Sequence, residues 1–213
     1  MDIDVLKRQL VQGLEQIELI LSDHAIDQLM HYLTLLQKWN KVYNLTAIRD
    51  PQEMLVKHLL DSLAVVPFIS GERLIDVGTG GGLPGIPLAI CYPQRQVDLL
   101  DSNSKKTRFL IQAKAELALQ NTKVLHSRVE QYQPDTLYDG VISRAFASLE
   151  DMLVWTHHLL AQDGHWWAMK AQIDYDDYSN RPVLVSIRNI IDLQVPGLNA
   201  ERMLIKASRP AQY

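Results

Sequence analysis

The densest chemical signal in the chain is the run Asp76-Val77-Gly78-Thr79-Gly80-Gly81-Gly82-Leu83-Pro84-Gly85. Glycines there let a backbone turn sharply and bring bare N–H groups close to a ligand. Two binding signatures coexist in this run. Asp76, Gly78, Gly80 and Gly82 spell the acid-x-Gly-x-Gly-x-Gly form that holds S-adenosylmethionine in methyltransferases, whereas Gly80, Gly82 and Gly85 spell the dinucleotide form G-x-G-x-x-G. Pro84 and Pro87 favour the first, because a pyrophosphate needs the N–H groups that proline lacks. Asp101 follows at the spacing where a carboxylate accepts from ribose hydroxyls. Both ligands carry that ribose, so Asp101 indicates adenosine without saying which kind.

If a methyl group is transferred, the acceptor atom decides what else is needed, since in-line displacement mainly requires proximity and orientation. Carbon-5 of a pyrimidine requires a cysteine nucleophile. Cys91 is the sole cysteine, and it falls in the helix after the glycine run, where burial is expected. An exocyclic adenine amine is served by an Asn/Asp-Pro-Pro-aromatic motif, and the corresponding position reads Ser143-Arg144-Ala145-Phe146. A ring nitrogen such as guanine N7 has a free lone pair and needs neither base nor nucleophile. It needs a held base edge, on which O6 accepts from Arg, Lys or Asn. Arg144 and Lys170 end two of the expected strands, on the ligand-binding edge of such a sheet. Arg144 is therefore expected to orient the guanine or the donor, and Lys170 to contact base or phosphate. No histidine or cysteine spacing suits a metal, so none is expected.

The elements that must carry these residues follow from periodicity. Short apolar runs at Leu74–Val77, Val97–Leu100, Val124–His126, Gly140–Ser143 and Trp166–Met169 alternate with helix patterns near Pro84–Cys91, Ser104–Leu119 and Leu149–Leu160. Such alternation implies a parallel sheet covered by helices on both faces. Val185–Val195 and Met203–Ala207 are joined by Pro196-Gly197-Leu198-Asn199, too short for a crossover helix, so they predict an antiparallel hairpin. The expected fold is thus α/β, a Rossmann-like seven-stranded sheet of the class I S-adenosylmethionine-dependent methyltransferases. Residues 1–70 read as a helical N-terminal extension and 71–213 as the Rossmann-like domain. In the extension, Ser22 caps a helix bearing Ile26, Leu29, Met30, Leu33, Leu36 and Trp39. Asp50-Pro51-Gln52-Glu53 starts another, whose stripe is Leu55, Leu59, Leu63 and Val66.

Composition is that of a globular enzyme: of 213 residues, 47% are hydrophobic and 22% charged. No apolar run approaches the roughly 18 residues of a membrane span, and the N-terminus lacks the order of a signal peptide. A lone cysteine fits a reducing cytoplasm. The net charge of −4 confines any nucleic-acid contact to a local basic face. Lys38, Lys41, Arg49 and Lys57 near Trp39 and Tyr43, or Lys105, Lys106 and Arg108, offer such faces, though each also reads as an ordinary charged helix side. On these residues alone three alternatives stay open. They are a methyltransferase of small molecules or proteins with a helical lid, a dinucleotide oxidoreductase, and a ribosome-assembly factor that binds the donor without transfer.

Several blocks together resemble the RsmG (GidB) family. They are Asn44-Leu45-Thr46, His58-Leu59-Leu60-Asp61-Ser62, DVGTGGGLPGIPLAI over Asp76–Ile90, LLDSNSKK over Leu99–Lys106, SRVE over Ser127–Glu130, SRAFASL over Ser143–Leu149, and QVPGL…ER over Gln194–Arg202. The resemblance implies a bacterial methyltransferase acting on N7 of one guanine in the decoding-region loop of 16S rRNA. Its implied partner is that rRNA or the small ribosomal subunit, met by a cytoplasmic monomer using S-adenosylmethionine. It implies donor contacts at Gly78, Leu83, Val129, Glu130 and Arg144, and substrate-side roles for Asn44 and His58. Two departures stand out: Lys170-Ala171 replaces the family's Lys-Gly, which restricts a backbone bend, and Gln172–Pro182 is short, which implies a lost or remodelled helix.

Overall fold

The computed structural model describes residues 2–144, 146, 148–171 and 185–210. Seven strands form one sheet: β1 (Arg73–Val77), β2 (Gln96–Asp101), β3 (Val124–His126), β4 (Tyr138–Ser143), β5 (Leu160–Lys170), β6 (Ser186–Asp192) and β7 (Met203–Ser208). Their order is β3-β2-β1-β4-β5-β7-β6. The first five strands are parallel, and β7 runs antiparallel to both β5 and β6. The order reverses between β1 and β4, the switch point outside which open α/β sheets bind their ligands. Apolar runs make this sheet because both faces are covered: Leu74, Ile75, Val97, Leu99, Val141 and Ile142 are fully buried.

Helices α1 (Ile3–Gln16), α2 (Asp23–Tyr43), α3 (Pro51–Met54), α4 (Asp61–Leu63), α5 (Gly85–Cys91), α6 (Ser104–Glu116) and α7 (Leu149–Thr156) complete the layers. The expected caps are present. Ser22 Oγ accepts from Ala25 N at 3.2 Å, and Asp50 Oδ1 from Glu53 N at 2.9 Å. Helices α3 and α4 run as one through a π-helical segment, Leu55–Leu60. The apolar stripe predicts the buried Leu55, Leu59 and Leu63 but not this wider turn, since an added residue leaves the same side chains inward.

Most strands run longer than the apolar runs that mark them, because flanking polar residues continue the ladder. β5 begins at Leu160, paired with Tyr138, where Trp166 marks the predicted start. The hairpin is the reverse case. Its predicted first strand reaches Val195 and the observed one ends at Asp192. A bond from Leu193 N to Arg202 O at 2.7 Å closes the ladder, and buried Leu193 and Val195 leave it for the core. The helix predicted to run to Leu119 ends at Glu116, and that predicted to run to Leu160 ends at Thr156, followed by a 3-10 turn at His157–Leu159. Gln172–Pro182 lies outside the described residues. Ala171 is not among the residues with positive φ, so alanine carries no left-handed strain there.

The N-terminal helices and the sheet share one core. Leu6, Leu10, Leu29, Leu33 and Leu36 lie in the same apolar cluster as Leu74, Leu99, Ile142 and Trp167. Tyr32, fully buried on α2, donates its hydroxyl to Gly81 O at 2.6 Å, tying that helix to the glycine run after β1. Leu36 lies beside the same glycine. Replacing it by alanine (Leu36→Ala) is expected to lower unfolding free energy by about 2–5 kcal/mol in a urea titration.

Candidate functional site

Two cavities open on either side of the turn that ends β4. The first, about 290 Å³, is lined by Ile48, Lys57, His58, Asp61, Arg144, Met169, Lys170, Ala171, Leu193, Arg202 and Met203. The second, about 310 Å³, is lined by Val77, Gly78, Leu100, Asp101, Ser102, Lys106, Ser127, Arg128, Val129, Glu130, Phe146 and Trp155. Arg144 and Phe146 sit one on each side, and Lys170 Nζ reaches from the first cavity to Phe146 O at 3.4 Å.

The second cavity is built around the backbone after β1. Gly78 has φ +69°, and a Cβ there would meet nothing within 4 Å, so its main chain faces open space at the cavity. Gly82 has φ +92°, and a Cβ there would press into Ile86 and Leu110, so this glycine serves the packing of the turn on α5 and α6. Asp76 stands behind the run rather than in the cavity. It is fully buried, and its Oδ2 accepts from Thr79 Oγ1 at 2.6 Å and Gly85 N at 2.8 Å. Burial raises its pKa to about 6, against the pull of those two bonds. Leu83 is likewise in the core. Asp101, only 6% exposed, accepts from Gly80 N at 2.9 Å through Oδ2 and from Asn103 N at 2.8 Å through Oδ1, with Lys106 Nζ 3.6 Å away. Each carboxylate oxygen keeps a further lone pair for a hydroxyl donor. With apolar walls at Val77, Leu100 and Val129 and Glu130 at the rim, the cavity is one that could hold an adenosine with its ribose on Asp101.

In the first cavity the π segment places His58 and the Lys57 carbonyl inward. His58 Nδ1 lies 3.1 Å from Lys57 O, which can only accept, so Nδ1 carries the proton. Nε2 then accepts from Thr46 Oγ1 at 2.8 Å. Burial first, and the nearby Arg144 cation second, push the pKa of His58 down to about 4, so the ring is neutral at ordinary pH. Arg144 Nη1 donates to Lys57 O and to Asp61 Oδ2, each at 3.2 Å, and Arg202 Nε donates to Asp61 Oδ1 at 2.9 Å.

The predicted residues therefore separate. Gly78, Asp101, Val129 and Glu130 line one cavity, while Arg144, Lys170 and His58 line the other. Gly80 reaches Asp101 through its N–H. Asn44 caps α2 with φ +49° and accepts from Arg49 Nη2 at 2.8 Å, outside the lining of both. Spacing and residue type do not single out Asp61, Arg202, Phe146 or Trp155. Asp61 and Arg202 stood within family-like blocks, which was the available signal. Trp155, 43% exposed and packed edge-on to Phe146, carried none. Cys91 ends α5, the helix whose start faces the glycine run, and burial pushes its thiol up to about 12.

Among the described residues no group of three or more His, Cys, Asp or Glu side chains could hold a metal, and no helix is long and apolar enough to cross a membrane. The fold is that of class I methyltransferases. Coclaurine N-methyltransferase, solved with N-methylheliamine and SAH, superimposes with TM-score 0.54 at 14% identity, over 90% of this chain and 74% of that one. TYW2 of M. jannaschii, solved with AdoMet, gives TM-score 0.54 at 16% identity, over 71% and 76%. Sequence relatives are much nearer. The chain is 66% identical over 188 residues to a ribosomal RNA small subunit methyltransferase G of Hydrogenovibrio crunogenus, covering 88% of this chain and 87% of that protein. It is 51% identical over 185 residues to the protein of the same name from Escherichia coli O1:K1, covering 87% and 89%. The family described as rRNA small subunit methyltransferase G matches residues 25–205. The chain belongs to that family, GidB.

Proposed function

We propose that this chain transfers a methyl group from S-adenosylmethionine to N7 of a guanine in 16S rRNA. Its family makes it an S-adenosylmethionine-dependent methyltransferase of small-subunit ribosomal RNA. The observation that carries the choice of atom is the first cavity, furnished with N–H donors and holding, among the described residues, no available base. His58 is neutral with both ring nitrogens engaged, and the Cys91 thiol is no nucleophile at physiological pH. A guanine N7 brings its own lone pair and has no proton to lose, so such a cavity suffices.

The donor supplies an activated methyl group on a sulfonium. The protein's part is to bind and to aim. Asp101 accepts from the ribose hydroxyls, and the Val129–Glu130 turn edges the adenine. Gly78 lets the main chain approach, while Asp76, Gly80, Gly82 and Leu83 keep the run in shape from behind. Arg144 and Lys170, on the side of the first cavity, hold the acceptor base, with His58 fixing that wall and Asn44 ordering the segment beside it. Residues 1–70 act as the acceptor-side extension of the methyltransferase domain, 71–213. The enzyme works as a monomer in the cytoplasm, without a metal, on the small subunit or its rRNA.

Labelled methyl transfer to undermodified small subunits and to deproteinised rRNA, with the product nucleoside identified by mass spectrometry, should give 7-methylguanosine. Label at another atom, or donor binding without label, would exclude the proposal. Asp101→Asn should weaken donor binding by about 10- to 100-fold, the worth of hydrogen bonds to a charged acceptor, whereas Lys170→Met should leave it unchanged and slow transfer. His58 supplies a pH test. Its pKa is about 4 when folded and 6.5 when unfolded, so the unfolded chain takes up a proton that the native one refuses. Stability from this group is therefore lost as pH falls from 6.5 to 4. The wild-type advantage over His58→Gln in urea unfolding should shrink across that window; an advantage constant from pH 7 to 4 would contradict the neutral assignment.

A further inference from the structure

We infer that Asp61 is a positioning residue of the acceptor cavity: its one carboxylate fixes the guanidinium groups of Arg144 and Arg202 in a common orientation toward the base. The inference rests on reading the first cavity as the acceptor site.

Asp61 is 3% exposed, a costly place for a charge unless it is fully paired. Its two oxygens are divided between two arginines from distant parts of the chain. Oδ2 takes Arg144 Nη1 at 3.2 Å from the end of β4, and Oδ1 takes Arg202 Nε at 2.9 Å from the residue before β7. Backbone carbonyls complete the grip, Lys57 O on Arg144 at 3.2 Å and Glu201 O on Arg202 Nη1 at 2.8 Å. Both arginine side chains stay about a quarter exposed and line the cavity. The anchoring bonds occupy Nη1 of Arg144, and Nε and Nη1 of Arg202. Each guanidinium carries five donors, so N–H groups remain to be aimed at a ligand.

Without the carboxylate, two cations this close would repel and swing apart. With it, they form a rigid fork. The chemistry then dictates what the fork grips. The methyl group takes the N7 lone pair, so a held guanine must be gripped at O6 or through its phosphate, leaving N7 open. A charge-fixed fork does that, and a mobile pair of cations would compete for N7 itself.

Asp61→Asn keeps the size but removes the charge and turns an amide N–H₂ toward one guanidinium. Single-turnover methylation of undermodified subunits should fall by about 100-fold, the usual cost of a misplaced positioning group, while equilibrium donor binding stays at the wild-type value. Arg202→Met should be similarly impaired, and the double variant no worse than the weaker single one. Arg202→Lys, which keeps the charge but not the fork, should be as impaired as Arg202→Met. Undiminished transfer in Asp61→Asn, weakened donor binding with the fold intact, or losses that multiply in the double variant would each overturn the inference by reducing Asp61 to a structural tie. Full activity of Arg202→Lys would overturn it too, and does not depend on how Asp61→Asn folds. If the unaltered enzyme gives no 7-methylguanosine, it is the reading of the cavity that fails, separately from the role of Asp61.

Discussion

The backbone after β1 must be bare on one side and rigid on the other. A ligand can approach Gly78 only because no side chain covers it, yet a run this rich in glycine loses more conformational entropy on ordering than any other. The order has to come from behind. Asp76 holds Thr79 and Gly85, Asp101 holds Gly80, and Tyr32 holds Gly81 from a helix outside the parallel sheet. Two of these braces are carboxylates whose own burial would be costly alone. The N–H and O–H groups they collect offset part of that cost, and for Asp76 burial still outweighs them. The brace from Tyr32 explains why the first helices are packed into the same core as the sheet instead of resting on it.

The first cavity is assembled by a different rule. The protein is acidic overall, and a charge of −4 gives no reason to expect a nucleic-acid partner. What matters is placement. Lys57, Arg144, Lys170 and Arg202 converge on one small cavity from a π segment, two strand ends and a hairpin connection. The π segment is the local irregularity that makes this possible. Such turns shift carbonyls out of the regular helical ladder, and here Lys57 O meets Arg144.

How much of this could be read from the residues depended on range. The glycine run, its acid, the alternation of strands and helices and the caps at Ser22 and Asp50 are local patterns, and they appear where the spacing puts them. Apolar runs miss the strand ends wherever polar residues extend a ladder, as before Trp166, or apolar ones leave it, as at Leu193. The glycine signature counts Asp76 among its binding residues, and the position of that side chain behind the run depends on how α5 packs, which no local pattern states. The pairing of Asp61 with Arg202 spans most of the chain and has no signature in spacing. Trp155 looks like any apolar residue on an amphipathic helix until the fold turns it toward Phe146.

The distribution of the two cavities along the chain has a consequence for synthesis. Every described residue lining the second cavity lies between Val77 and Trp155, whereas the first needs Leu193, Arg202 and Met203. A chain emerging N-terminus first has translated all of these second-cavity residues while the first cavity still lacks a wall. A stop codon or frameshift between those two points would take away β7 as well, which pairs with β5 and buries Leu204, Ile205 and Ala207, so the wall of the first cavity and the last part of the core are lost together.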